Sequence, residues 1–139
     1  MTYVLDASAI LRFTDKEPGF ERVRALLHSA AKGEVNLLMS AVNWGEIVAV
    51  LYRRHGLAGA KAIAGNLNSL PITIVSVDGL AAERAGIFRQ DFNVPYADAF
   101  AGALAMSERA VLVTSDFDFK AATGNIKVEF LTAKAKSKP

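Results

Sequence analysis

The sequence predicts an α/β fold: a three-layer α/β/α sandwich around a five-stranded parallel sheet. Three observations carry this expectation. Short apolar runs alternate with longer segments of helical period along the whole chain. Most of the short runs are apolar without interruption, as strands covered on both faces must be. No repeat, low-complexity block or linker divides residues 1–131, which are therefore expected to form one domain, followed by a basic, disordered tail at 132–139.

In chain order, the strands are expected at Tyr3–Leu5, Val35–Met39, Ile72–Val77, Val111–Thr114 and Ile126–Leu131. The last alternates Ile126, Val128 and Phe130 and so reads as an edge strand. Between the first two strands a helix begins near Pro18, a residue tolerated in a first helical turn, and ends at Gly33. Two more cover about Val42–Arg54 and Ala58–Leu67, separated by Gly56. A further helix spans about Leu80–Phe92, and Pro95 marks the break before the next, Tyr96–Ser107. In that last helix Ala97, Phe100, Ala101, Leu104 and Ala105 recur at helical spacing, and Gly102 is expected to let the helix approach another backbone closely. Right-handed crossovers place all strand C-termini on one edge of the sheet, where ligands of such folds bind.

Composition narrows the chemistry. The 139 residues are 52% hydrophobic and 22% charged, within the globular range, and contain no cysteine. Thiol catalysis, disulfides and zinc–thiolate sites are thereby excluded. The two histidines, His28 and His55, make zinc chemistry hard to arrange and read as surface residues. No signal-peptide pattern opens the chain, and no apolar run reaches the ~18 residues of a membrane span. A soluble cytoplasmic protein without a membrane association is expected. The net charge of +2 comes largely from the tail: without Lys134, Lys136 and Lys138, 13 basic side chains face 14 acidic ones.

Four carboxylates stand out. Asp6 ends the first strand and Asp116 follows the fourth. Glu46 and Asp98 lie in early turns of their helices, at the border of the apolar face: Asp98 is about 20° from Ala105 and Glu46 about 40° from Val50 at ~100° per residue. Each has an ordinary alternative. Asp6 caps a helix beginning near Ser8, Glu46 and Asp98 complement helix dipoles, and Asp116 serves a turn. As a set, however, they line one sheet edge with no basic residue beside them in sequence. Mutual repulsion then raises their pKa values, and a hard divalent cation, Mg²⁺ or Mn²⁺, resolves the conflict. The chemistry that follows is metal-assisted phosphoester hydrolysis.

The ordered segments VLDASAIL, SAVNWGEI, YADAFAGALA and LVTSDFDF resemble those of PIN-domain ribonucleases, and within them VapC-type toxins of toxin–antitoxin modules. The resemblance covers about residues 2–131. It implies that Asp6, Asp98 and Asp116 hold metal, that Glu46 helps hold metal or orients water, and that Ser8 and Thr114 hydrogen-bond around the carboxylates. Asp118 falls where many members carry a further acid, although two residues of an extended segment would point to opposite faces. The resemblance further implies an endoribonuclease that leaves a 3′-hydroxyl and a 5′-phosphate, a homodimer, and a protein antitoxin. Phe13, Trp44, Phe88 and Phe92 are candidates for those interfaces.

Two other classes compete. A phosphoaspartyl mechanism expects a second aspartate two residues after the first, where this chain has Ser8, or paired acids after the first strand, which offers only Asp6. A catalytically inactive PIN-like RNA-binding or scaffolding module is the other alternative; loss of one of the four acids would mark it, and all four are present. Arg12, Arg53 and Arg54 read as a solvated basic face before they read as phosphate grips.

Overall fold

A computed structural model describes residues 1–131. The predicted tail at 132–139 lies outside the described residues. Five strands, β1 (Thr2–Leu5), β2 (Asn36–Ser40), β3 (Thr73–Val75), β4 (Val111–Thr114) and β5 (Lys127–Phe130), form one parallel sheet in the order β3-β2-β1-β4-β5. β5 is an edge, as its alternation predicts.

The pleat sorts the core into two layers. In β1, Val4 faces one cluster and Leu5 the other; in β4, paired in register with β1, Leu112 and Val113 divide the same way. The Val4 side packs against α4 (Gly79–Phe92), α5 (Tyr96–Glu108) and a short 3₁₀ helix (Phe117–Ala122). The Leu5 side packs against α1 (Ala7–Thr14), α2 (Phe20–Ala31) and α3 (Ala41–Asn68). The expected sandwich is therefore present, with helices on both faces.

Local chemistry explains the boundaries. α2 starts at Phe20 rather than near Pro18, because Gly19 takes a left-handed φ of 97° and is hemmed in by Leu131. α3 breaks its helical geometry at Gly56 (φ 73°, ψ 179°), where the sequence predicts a separation. α5 buries more than one stripe: Ala99, Phe100, Ala101, Gly102, Ala103 and Ala105 are all inside, whereas Ala97 and Leu104 are only partly so. Gly102 does not meet a neighbouring backbone. The ring of Phe88 fills the space that a Cβ would need, so the close approach is side chain to helix. Of the four aromatics expected at interfaces, Phe88 is 2% exposed and belongs to the core, whereas Phe13, Trp44 and Phe92 are half-buried and pack against the two core layers with part of their surface open.

Candidate active site

The chain order of the strands reverses beside β1, and the crevice at the carboxyl ends of β1 and β4 collects the acids. Asp6 leaves β1 in an extended conformation and caps α1. Its Oδ1 accepts the Ala9 N–H at 3.0 Å and the Ser8 hydroxyl at 2.7 Å. Its Oδ2 accepts the Thr114 hydroxyl. Both hydroxyls also act as acceptors: Ser8 Oγ takes the Ser115 N–H and Thr114 Oγ1 the Asp116 N–H, each at 2.9 Å. A buried carboxylate thus sets the backbone just after β4 through two hydroxyl relays. Asp6 is 2% exposed, and burial raises its pKa from 3.8 to about 6; the hydrogen bonds from Thr114, Ser8 and Ala9 oppose the rise, and the charge of Asp116 adds to it.

Asp116, placed by those relays, caps the 3₁₀ helix by accepting the Asp118 N–H at 2.9 Å. The expected extended segment is replaced by this turn, because a side-chain-to-backbone bond two residues on folds the chain back. Asp118 therefore joins the same side as Asp116. Asp98 approaches from the first turn of α5, and one carboxylate oxygen from each of Asp98, Asp116 and Asp118 lies within 4.8 Å of the others. Asp98 carries the cost of this crowding. Burial, then a hydrogen bond to Asp116 and the charges of Asp116, Asp6 and Glu46, push its pKa to about 8. Such a donor set of hard oxygens, uncompensated by any cationic side chain among the described ion pairs, fits a divalent cation.

Glu46 stands at the rim of this group, half-buried on α3. Asn43, one turn earlier and 0% exposed, donates from Nδ2 to Glu46 Oε1 at 2.9 Å and to the Ala97 carbonyl at 3.1 Å. It ties the glutamate to the residue before Asp98. Its Oδ1 has no hydrogen-bond partner. Sequence reasoning passed over Asn43; the available signal was its i, i+3 spacing from Glu46, which puts both on one helix face.

The remaining candidates lie elsewhere. Arg54 is paired with Asp15 at 3.0 Å, and Arg12 donates to the Pro18 carbonyl and meets Glu17. His28 and His55 are exposed.

The family model for the PIN domain matches residues 3–125. The chain belongs to the PIN-domain family. No curated protein matches this PIN domain in sequence. Solved structures match it in fold. VapBC2 from Rickettsia felis, bound to a DNA fragment from its promoter, superposes with a TM-score of 0.74 at 16% identity, over 95% of this chain and 100% of the other. DNA-bound VapBC from Salmonella typhimurium gives 0.73 at 17%, over 95% and 99%. VapC20 from Mycobacterium tuberculosis, described as a toxin that cleaves the sarcin–ricin loop, gives 0.69 at 21%, over 91% and 98%. This PIN domain therefore shares its fold with toxins over nearly their full length. Among its described residues, no helix is long and apolar enough to cross a membrane.

Proposed function

We propose that this PIN domain is a metal-dependent endoribonuclease, acting in the cytoplasm as the toxin of a type II toxin–antitoxin pair. One observation supports this above all: Asp98, Asp116 and Asp118 converge beside buried Asp6, and Asp98 is driven toward its protonated form unless positive charge arrives. In this reading Asp6, Asp98 and Asp116 would hold Mg²⁺ or Mn²⁺, Asp6 through oxygens that also accept from Ser8, Ala9 and Thr114, with Asp118 beside them. When bound, the ion polarises the scissile phosphodiester and lowers the pKa of water.

The chain's own residues do the rest. Glu46, held by Asn43, accepts a proton from the water that attacks phosphorus. The P–O3′ bond breaks and the departing O3′ takes a proton from solvent, leaving a 3′-hydroxyl and a 5′-phosphate. Ser8 and Thr114 keep Asp6 ionised and hold the Ser115–Asp116 backbone in place. The likeness to VapBC complexes supports a protein antitoxin as partner. An Arg or Lys from that partner, seated among the carboxylates, would compete with the metal. Exposed Ile87 and Met106, beside a groove between α4 and α5, support a homodimer.

The test is Mn²⁺ calorimetry alongside cleavage of single-stranded RNA, for wild type, Asp98→Asn and Asp116→Asn. Loss of both binding and cleavage with unchanged circular dichroism is expected of the variants. Near-native rates in the variants overturn the site. A wild-type protein that neither takes up Mn²⁺ nor cuts RNA leaves the non-catalytic module as the reading.

A further inference from the structure

The 3₁₀ helix that carries Asp118 has three residues per turn, so side chains three apart are eclipsed and the helix has three distinct faces. Phe119 and Ala122 form the first and are buried in the core. Asp118 occupies the second, with the acidic cluster. Phe117 and Lys120 form the third, and both are exposed. Phe117 is 56% exposed, yet its ring is not loose: it stacks on Phe130 of edge strand β5, with centroids 5.1 Å apart and planes at 25°. Lys120 follows about 6 Å further along the helix, and among the described residues it forms no ion pair.

We propose that this face is a stacking subsite for one nucleobase of single-stranded RNA, next to the phosphate that is cleaved. The proposal rests on the nuclease reading and adds what holds the substrate. An exposed aromatic is by itself ordinary on a protein surface. Here its position decides. Phe117 lies in the chain between two of the clustered acids, one Cα step of about 3.8 Å from each. A base stacked on its open side brings the adjoining backbone to the carboxylates, and the Lys120 ammonium meets a neighbouring phosphate. Phe130, packed behind, keeps the ring from collapsing onto the protein. Of the other exposed large apolar side chains, Tyr52 and Leu57 on α3 and Leu80 and Ile87 on α4 lie on elements without one of these three acids. Tyr96 and Met106 share α5 with Asp98, but the Tyr96 ring packs edge-on against Phe100 at 4.9 Å and Met106 lies two turns further along the helix. Every base has a π-face, so such a platform grips single strands with little sequence preference.

The experiment uses the full chain and a 5′-fluorescein-labelled single-stranded RNA oligonucleotide in EDTA, where anisotropy reads binding without turnover. Phe117→Ala and Phe117→Leu are both expected to raise Kd by about 5- to 150-fold, the range for one lost stacked base. Phe117→Leu keeps an apolar side chain against Phe130, so its failure isolates the π-face. Phe117→Trp is expected to restore binding. Lys120→Ala is expected to lower the slope of log Kd against log salt by about 0.7, one phosphate contact on a single strand. With Mn²⁺ present, the rise in KM for Phe117→Ala exceeds any fall in kcat. Unchanged Kd in both the Ala and Leu variants overturns the subsite while leaving the nuclease reading intact, provided wild type binds and cuts RNA. A wild type that does neither removes both. If Phe117→Ala changes only the molar mass in light scattering, the face is a contact between copies and the proposal fails.

Discussion

Replacing Thr114 by valine keeps the shape of the side chain and deletes its hydroxyl. That hydroxyl donates to Asp6 Oδ2 and accepts the Asp116 N–H at 2.9 Å, in a position that is fully buried. A hydrogen bond to an ionised group contributes about 1.5–3 kcal/mol and an ordinary backbone bond about 1 kcal/mol, so the variant should lose about 2–4 kcal/mol. For 139 residues, with an unfolding entropy of about 2.1 cal/mol/K per residue, this is a fall in Tm of roughly 7–14 °C. The loss should depend on pH. Asp6 titrates near 3.8 unfolded and about 6 folded, so stability is present below 3.8 and is lost as pH rises through about 6. Removing the strongest bond that favours the ionised form raises the folded pKa further and widens that loss. Melting in EDTA should therefore show a larger deficit at pH 8 than at pH 5, where Asp6 is mostly protonated in both proteins. Thr114→Ser, which retains the hydroxyl, should show little of it. Equal deficits at the two pH values, or a serine variant as impaired as the valine one, would refute the relay.

Three further outcomes follow from the same geometry. In metal-free Asp98→Asn, the decline in Tm as pH rises from about 6 through about 8 should largely flatten, because Asp98 is the group whose pKa stands near 8, while the decline below about 6 that Asp6 contributes should remain; melts in EDTA across that range check it. Asn43→Leu gives up two hydrogen bonds but also removes a buried acceptor without a partner, so its stability should stay within about 1–2 kcal/mol of wild type while RNA cleavage falls at least ~10-fold. Parallel melting and rate measurements separate the two effects, and a variant that cleaves normally would free Glu46 from this tether. Gly102→Ala should cost about 1–3 kcal/mol despite the better helix former, since the new methyl runs into Phe88, and Phe88→Leu in the same chain should recover part of the loss. Additive losses in that double variant would show that the two positions do not share the space.

The elements most legible in the sequence were those governed by local pattern. Continuous apolar runs such as Val111–Thr114 mark central parallel strands, alternation marks β5 as an edge, and Gly56 marks the interruption of α3. What escaped depends on partners distant in sequence or on one side chain. Nothing in the period of residues 117–122 announces a 3₁₀ helix, since a single bond from the Asp116 carboxylate starts it. The seating of Phe88 in Gly102 needs two helices in place before it exists. Asn43 looks like a polar intrusion on α3 until Ala97 is brought opposite it. The four acids were recognisable individually, but the three-oxygen grouping with Asp118 depended on a turn that the sequence offered only as the ordinary alternative for Asp116 and that was not connected to Asp118.

The bond between Asp6 and Thr114 spans 108 positions of sequence. β4, which supplies Thr114, enters the sheet beside β1, the first strand made. During synthesis at about 5–20 residues per second, Asp6 waits roughly 5–20 s before its relay partner has even been polymerised. Until then it is a strand-end acid next to nothing, and no fragment that stops short of β4 contains the crevice. Closing so long a loop also makes this pairing late among the folding events. Whatever chemistry the carboxylates perform, it cannot begin before β4 has been made and has joined β1.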